Sequence, residues 1–128
     1  MTVEAVLFSR LSGFAGLSAL ISARVYPLVA PQNVQQPYLT YRRVSSIRES
    51  AFGSDSNNVT ARFQIDVWAS SFASARNVAE QVRLAMQRWR NTTGTVVDDT
   101  FIENQIDLYE PEIDTFHIAV DIRVHYRE

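Results

Sequence analysis

The fold of this chain is decided by residues 59–89, which read VTARFQIDVWASSFASARNVAEQVRLAMQRW. Small or apolar residues alternate with other residues from Ala61 to Val67, which is the period of a β-strand with one face on a core. Ser70 or Ser71 then offers a helix N-cap. Beyond the serines, residues recur at the three- and four-residue steps of one helical stripe, and these are Phe72, Ala75, Val78, Ala79, Val82, Ala85, Met86 and Trp89. We therefore predict a strand that leads directly into a helix lying on the sheet.

The segments on either side supply further helices and strands. An amphipathic helix is predicted over residues 3–12 and a short helix over residues 17–21, because Gly13 and Gly16 weaken the helix between them. Residues 24–27 are predicted as a brief extended segment stopped by proline, and residues 28–37 as a loop. Further strands are predicted by aromatic and β-branched residues or by strict alternation, over residues 38–44, 102–108 and 116–126.

The polar run over residues 45–58 is predicted to be a long connection between two adjacent antiparallel strands, and thus the first place to look for partner contacts. A floppy solvent loop is the equally simple alternative. The resulting order is α-β-β-α-β-β. It indicates an α+β fold, with an antiparallel or mixed sheet of about four main strands and helices packed on one face.

Length and composition favour a single domain over residues 1–128 of an ordinary globular protein. The absence of cysteine excludes disulfides and thiolate metal sites. No hydrophobic run approaches the roughly 20 residues of a membrane span, so we expect no membrane partner. An acidic Glu4 without a basic region before it argues against a secretory signal.

Charge is divided unevenly along the chain. Residues 1–90 carry ten arginines against five acidic residues, whereas residues 91–128 carry two arginines against nine acidic residues. All twelve basic residues are arginine, which makes bidentate contacts to carboxylates and is enriched in interfaces. A compositional bias would explain the arginines equally well. Opposed patches on one chain are what a head-to-tail ring requires, since each subunit presents two different complementary surfaces.

No pattern indicates catalysis or a bound cofactor. The glycines form none of the nucleotide-binding signatures. His117, Asp121 and His125 share one face of the last predicted strand, but the two histidines are about 27 Å apart at strand rise, too far to share one metal ion. A single strand histidine on a solvated face is typical of a surface residue. We therefore expect no metal, no cofactor and no enzymatic activity, and a pI of about 5.7 argues against a nucleic-acid-binding domain.

Several short segments together resemble a known family. Val25-Tyr26-Pro27, Pro37-Tyr38-Leu39-Thr40-Tyr41 and Phe63-Gln64-Ile65-Asp66-Val67-Trp68-Ala69, with the closing alternating strand, resemble the tail completion or tail terminator proteins of long-tailed bacteriophages and gene transfer agents. The resemblance covers nearly the whole chain. It implies a virion protein, assembled in the host cytoplasm, that forms a ring, commonly a hexamer, on the head-proximal end of the tail tube. There the ring ends tube polymerisation and offers a surface to head-completion proteins.

The resemblance implies four kinds of contact: with other copies of the chain, with the tail tube protein, with a head-completion or connector protein, and with DNA that passes through without sequence-specific binding. We expect the arginine-rich surface of one subunit to meet the acidic segment 98–114 of the next. Trp68, on the face that alternation places outside, is a further candidate because a second packed layer or a neighbouring subunit would explain it. The expected subunit or partner contacts are Arg42, Arg43, Arg48, Arg62, Trp68, Arg83, Asp98, Asp99, Glu103 and Asp107.

Two alternatives remain open at this point. Some of the acidic residues could line a DNA-conducting lumen, where negative charge would keep DNA from sticking. The chain could also be a monomeric head-tail connector or adaptor that binds a ring built by other proteins.

Overall fold

The computed structural model describes residues 2–128, without the side chains of Ala51, Ser54 and Asp55. Its elements are α1 (Val3–Gly13), α2 (Ala15–Ile21), β1 (Val25–Pro27), β2 (Tyr38–Ala51), β3 (Ser54–Ala69), α3 (Phe72–Met86), β4 (Val97–Glu110) and β5 (Thr115–Arg127).

The strands form one sheet in the order β1-β2-β3-β5-β4. β1 runs parallel to β2, and the other pairs are antiparallel, so the α+β class with a mixed sheet is confirmed. The prediction of about four strands is corrected to five, and the predicted order α-β-β-α-β-β is corrected to α-α-β-β-β-α-β-β. The extra strand is the short extended segment that ends at Pro27. Its residues Val25, Tyr26 and Pro27 pair with the start of β2.

The strand and helix predicted from residues 59–89 are present as β3 and α3. Ser71 is the N-cap, and its side-chain oxygen accepts a hydrogen bond from the Ser74 amide at 3.2 Å. The middle of the predicted stripe is buried, namely Ala75, Val78, Ala79, Val82, Ala85 and Met86. Phe72 is half exposed instead. The helix ends at Met86, because Gln87 turns to extended backbone, but Trp89 still lies in the core.

The N-terminal helices are also confirmed. Thr2 caps α1 by accepting a hydrogen bond from the Ala5 amide, and the break between α1 and α2 falls at Phe14, whose backbone is extended. Within residues 2–128 no single helix is long and apolar enough to cross a membrane; α1 and α2 meet that description only as a pair, and the pair is bent by 73°.

The helices cover one face of the sheet, called here the inner face. The inner positions of β3 and β5 alternate as predicted and are buried, namely Ala61, Phe63, Ile65 and Val67 with Ile118, Val120, Ile122, Val124 and Tyr126. They form one core cluster with the buried residues of the three helices. The opposite side, the outer face, has no helix packed on it among the described residues.

The prediction of a long connection over residues 45–58 is wrong. β2 and β3 continue through it as paired strands, and the chain turns at Phe52 and Gly53, with Ala51 paired to Ser54. Gly53 has a φ of 80°, which glycine adopts without steric cost. This hairpin extends beyond the part of the sheet that the helices cover. Its residues therefore do not alternate between core and solvent, and its serines, asparagines and threonines gave the sequence the composition of a loop.

The predicted facing of β4 also needs correction. Ile102, Ile106 and Leu108 alternate in the sequence as if they shared one face. The register shifts between Ile102 and Asn104, which leaves Glu103 as a β-bulge. Ile102 pairs with Ile122 of the inner face, whereas Ile106 and Leu108 pair with Ala119 and His117 of the outer face.

Candidate functional site

Three aromatic rings lie in one row across the outer face. Tyr38, Trp68 and His117 are cross-strand neighbours on β2, β3 and β5, and the row ends on β4 at the aliphatic Leu108. Trp68 stacks on His117 with ring centroids 3.9 Å apart and on Tyr38 at 6.2 Å. The Trp68 indole N–H also donates to Thr40 Oγ1 at 3.0 Å. Trp68 is thus held within its own chain, although part of its surface stays accessible.

His117 is buried, contrary to its interpretation as a surface residue, and so is Asp66, which alternation had placed on the outside. His117 Nε2 lies 2.7 Å from Asp66 Oδ1, and His117 Nδ1 lies 3.4 Å from Glu110 Oε1. Burial lowers the pKa of His117, but the hydrogen bonds and negative charges of Asp66 and Glu110 outweigh burial and raise this pKa above 6.5. Sequence alone could not show this cluster, because it depends on the register between β3 and β5.

Most of the predicted interface residues form ion pairs inside the chain. These pairs are Arg43 with Glu4, Arg48 with Glu128, Arg62 with Asp121, Arg83 with Glu80, Arg88 with Asp99, Arg123 with Glu103 and Arg127 with Asp98. The guanidinium of Arg88 lowers the pKa of Asp99, whose second neighbour Arg90 is 3.9 Å away. The division of charge along the sequence is therefore partly neutralised where the two halves of the chain meet.

Two of the predicted interface residues have no such partner. Arg42 donates to the amide oxygen of Gln64 at 3.1 Å and, within residues 2–128, pairs with no carboxylate. Asp107 on β4 is exposed and has no basic partner in the same range. Glu112, in the turn after β4, is likewise exposed and unpaired there. Interface roles for Arg42 and Asp107 stay predictions.

Two groups of exposed apolar side chains lie on opposite edges of the sheet. The first, called the tip patch, lies at the end of the β4–β5 hairpin and comprises Ile106, Leu108, Tyr109 and Ile113, which are 44–61% exposed. The second, called the edge patch, follows β1 and comprises Pro27, Leu28 and Val29. Leu28 and Val29 are 72% and 71% exposed. Pro27 and Leu28 line a shallow groove with Glu4, Tyr41, Arg42 and Arg43. The facing of β4 depends on the bulge at Glu103, so the sequence did not show the tip patch. The edge patch was not predicted from the sequence either.

The described side chains offer no group of three or more His, Asp or Glu that could hold a metal ion. His117 and His125 lie far apart along β5, and each contacts a different neighbour. His125 Nδ1 is 2.9 Å from Thr60 Oγ1, whereas His117 lies against Asp66. In the part of the chain that the structure describes, the outer face is built of packed rings and ion pairs.

Solved structures share this fold. One is a chain from the virion of a native gene transfer agent particle; it has a TM-score of 0.84 and 19% sequence identity, and the match covers 98% of this chain and 95% of that one. A second solved chain has a TM-score of 0.70 and 18% identity, with 98% and 94% covered. No curated protein sequence matches the chain.

The family model described as tail completion protein gp17 matches residues 5–127. This match confirms the resemblance drawn from the Val-Tyr-Pro and Pro-Tyr segments. It also confirms the predictions of a virion tail location and of a structural protein that is not an enzyme. The chain belongs to the tail completion protein gp17 family.

Proposed function

We propose that this protein forms a closed homo-oligomeric ring, of six copies as the family resemblance implies, at the head-proximal end of the tail. The ring ends polymerisation of the tail tube protein and presents a surface to a head-completion or connector protein. The single observation that carries the proposal is a sheet with two different open edges. A contact between unlike surfaces repeats from copy to copy, and it closes as a ring when the rotation between copies allows it.

The first open edge is the second half of β4. Near its start β4 is covered by the end of α3, since the Arg88 amide donates to Thr100 O at 2.8 Å and the Ile102 amide donates to Gln87 Oε1 at 3.2 Å. From Asn104 to Glu110, within residues 2–128, the outward backbone groups meet no further strand. Exposed edges of this kind are templates for contact with another chain.

The second open edge belongs to β1 and β2. β1 covers β2 only at Leu39, Thr40 and Tyr41. Beyond Tyr41 no strand pairs with the outward side of β2 in the part of the chain that the structure describes. Because this edge differs from the β4 edge in length, shape and charge, a contact between the two edges joins unlike surfaces.

The ion pairs support passage of DNA without sequence-specific binding. A protein holds DNA by neutralising phosphates with arginine and lysine side chains. On the outer face Arg62, Arg123 and Arg127 are instead occupied by Asp121, Glu103 and Asp98. A lumen built from such a surface offers the phosphates little positive charge, as a conduit requires.

Electron microscopy and native mass measurement of the purified protein, and of assembled tails, test the proposal. We expect rings with a central hole and a mass that is a whole multiple of the 14.5 kDa chain. Tails lacking the protein should vary in length, because nothing ends the tube. A strictly monomeric protein that is absent from purified particles would overturn the proposal, whereas a monomer found on particles would favour the connector or adaptor function.

A further inference from the structure

We infer that the tip patch of one subunit docks on the edge patch of a second copy of this chain, which brings Asp107 and Glu112 of the first close to Arg42 and Arg24 of the second. This inference rests on the proposed ring and names the surfaces that join its subunits. It moves the expected contact from the Asp98, Asp99 and Glu103 part of β4 to the opposite end of that strand.

The two patches lie at the same level of the sheet on opposite edges. One row of paired residues runs across all five strands, through Tyr26, Thr40, Asp66, Ala119 and Ile106. Ile106 belongs to the tip patch, and Tyr26 directly precedes the edge patch. At about 4.8 Å between neighbouring strands, the edges of this row are about 19 Å apart. A head-to-tail contact between the patches therefore places successive subunits side by side with little rise, as closure into a ring requires.

Charged residues without an ion-pair partner among the described side chains lie beside the same two patches. Arg24 lies just before β1, where its guanidinium donates to Pro37 O and Leu20 O. Among the described side chains, neither Arg24 nor Arg42 has a carboxylate partner, and neither Asp107 nor Glu112 has a basic partner. Asp107 lies on the inner side of β4 and Arg42 on the outer side of β2, so the two patches attract through the charges beside them rather than through one direct ion pair. Two cations beside one patch and two anions beside the other give the contact its direction. The apolar side chains of each patch lose exposed surface when the patches meet.

The contact is made by side chains rather than by a continuous ladder of backbone hydrogen bonds. Pro27 ends β1 and has no N–H to donate. β1 is also only three residues long. Leu28 and Val29, which project beyond Pro27, are the side chains that can reach a neighbour. The partner's Leu108 and Ile113 are likewise aliphatic, and they are 44% and 61% exposed.

Cysteine trapping tests the contact directly, since the chain has no cysteine of its own. The double variant Leu28→Cys with Leu108→Cys should give, on mild oxidation, a ladder of covalent oligomers on a non-reducing gel. Within one chain the two sites are on the order of 20 Å apart, far beyond the Cα distance of about 4–7 Å that a disulfide spans. Covalent products therefore report contacts between copies. A mixture of the two single variants should stop at heterodimers joining Leu28→Cys to Leu108→Cys.

The matched control pair is Leu28→Cys with Leu84→Cys, because Leu84 is 46% exposed on α3 and lies outside both patches. The inference predicts that this pair gives no ladder. If wild-type protein forms rings but the Leu28 and Leu108 pair traps no more than the Leu84 pair, the docking contact is wrong and the ring stands. If wild-type protein forms no ring on its own or on tails, the proposed function itself fails.

A charge exchange provides a second test that does not depend on cysteine. Asp107→Arg should weaken self-association about tenfold or more by bringing a further positive charge close to Arg24 and Arg42, and Arg42→Asp should do the same by bringing a negative charge close to Asp107 and Glu112. The double exchange should restore most of the lost association. Arg76→Asp, at an exposed arginine on α3 that lies outside both patches, is the control that should leave the mass distribution unchanged. Equal loss in the control and in Asp107→Arg, or no rescue in the double exchange, would overturn the inference.

Discussion

His117 and Asp66 are 2.7 Å apart between Nε2 and Oδ1 and are almost wholly buried on the face of the sheet that has no helix. Trp68 covers His117 from one side by stacking, and Glu110 approaches its other ring nitrogen from the hairpin tip. The histidine thus links β3, β5 and the end of β4. Glu110 directly follows Tyr109 of the tip patch, so this contact places His117 next to the region that we propose as a subunit contact.

The stability of the protein should fall as pH rises through the pKa of His117. The folded state raises this pKa above the ordinary value of 6.5, so it binds the proton more tightly than the unfolded chain does. The resulting stabilisation is fully present below about pH 6.5 and is lost as pH rises through the folded pKa. Thermal unfolding followed between about pH 6 and pH 9 should show a falling Tm in the wild type and a flatter profile in His117→Gln. A slope of Tm against pH that survives unchanged in His117→Gln would contradict this assignment.

The Asp66–His117 pair should show a coupling energy well above that of an exposed ion pair. Asp66→Ala leaves a buried imidazole without its acceptor, which we expect to cost about 1–3 kcal/mol of unfolding free energy. A double-mutant cycle with His117→Gln, read by urea unfolding at about pH 6, should return a coupling of about 1–3 kcal/mol. The comparison cycle is Arg62 with Asp121, which are 3.5 Å apart with Arg62 half exposed; its coupling should stay below about 1 kcal/mol. Equal coupling energies for Asp66–His117 and Arg62–Asp121 would contradict the prediction that the buried pair is the more strongly coupled.

Local patterns were enough to predict the helix-covered half of the fold. The apolar residues of β3 from Ala61 to Val67, of the α3 stripe and of β5 all pack into one core. Core-facing residues of a single strand or helix recur with the period of that element, so the sequence shows them. The inward positions of β3 and β5 are apolar, so their facing could be inferred without knowing which strand lies beside them. The core positions of β3 and β5 were accordingly correct.

The outer face could not be predicted in the same way, because its contacts lie between strands. Trp68 and His117 meet only because β3 and β5 pair in one particular register. Ile106 and Leu108 reach the outer face only because the bulge at Glu103 reverses the alternation of β4. Bulges and register depend on pairing between distant segments. The structure therefore shows the tip patch and the edge patch. From the sequence alone, Arg42 and Asp107 were predicted as contact residues, but the apolar residues beside them were not.

Substitutions at the adjacent positions 62 and 63 should differ sharply in their effect on stability. Phe63 is wholly buried under the helices, whereas Arg62 lies on the outer face. Phe63→Ala should lower the free energy of unfolding by about 3–5 kcal/mol through lost transfer energy and a residual cavity. Arg62→Ala should change it by less than about 1 kcal/mol. Urea unfolding of both variants measures the difference, and similar losses would mean that β3 does not present these faces.

A glycine substitution tests the corrected hairpin over residues 45–58. Gly53 turns the chain with a φ of 80°, where a side chain is strained whatever the surrounding space, so Gly53→Ala should destabilise the hairpin by about 1 kcal/mol. Gly13 is the matched control, because it ends α1 with no atom within 4 Å of an added Cβ, and Gly13→Ala should be neutral or stabilise by up to about 1 kcal/mol. Amide hydrogen exchange of residues 46–60 should rise in Gly53→Ala and stay unchanged in Gly13→Ala. Fast exchange of this segment already in the wild type would instead support the floppy loop that the polar sequence suggested.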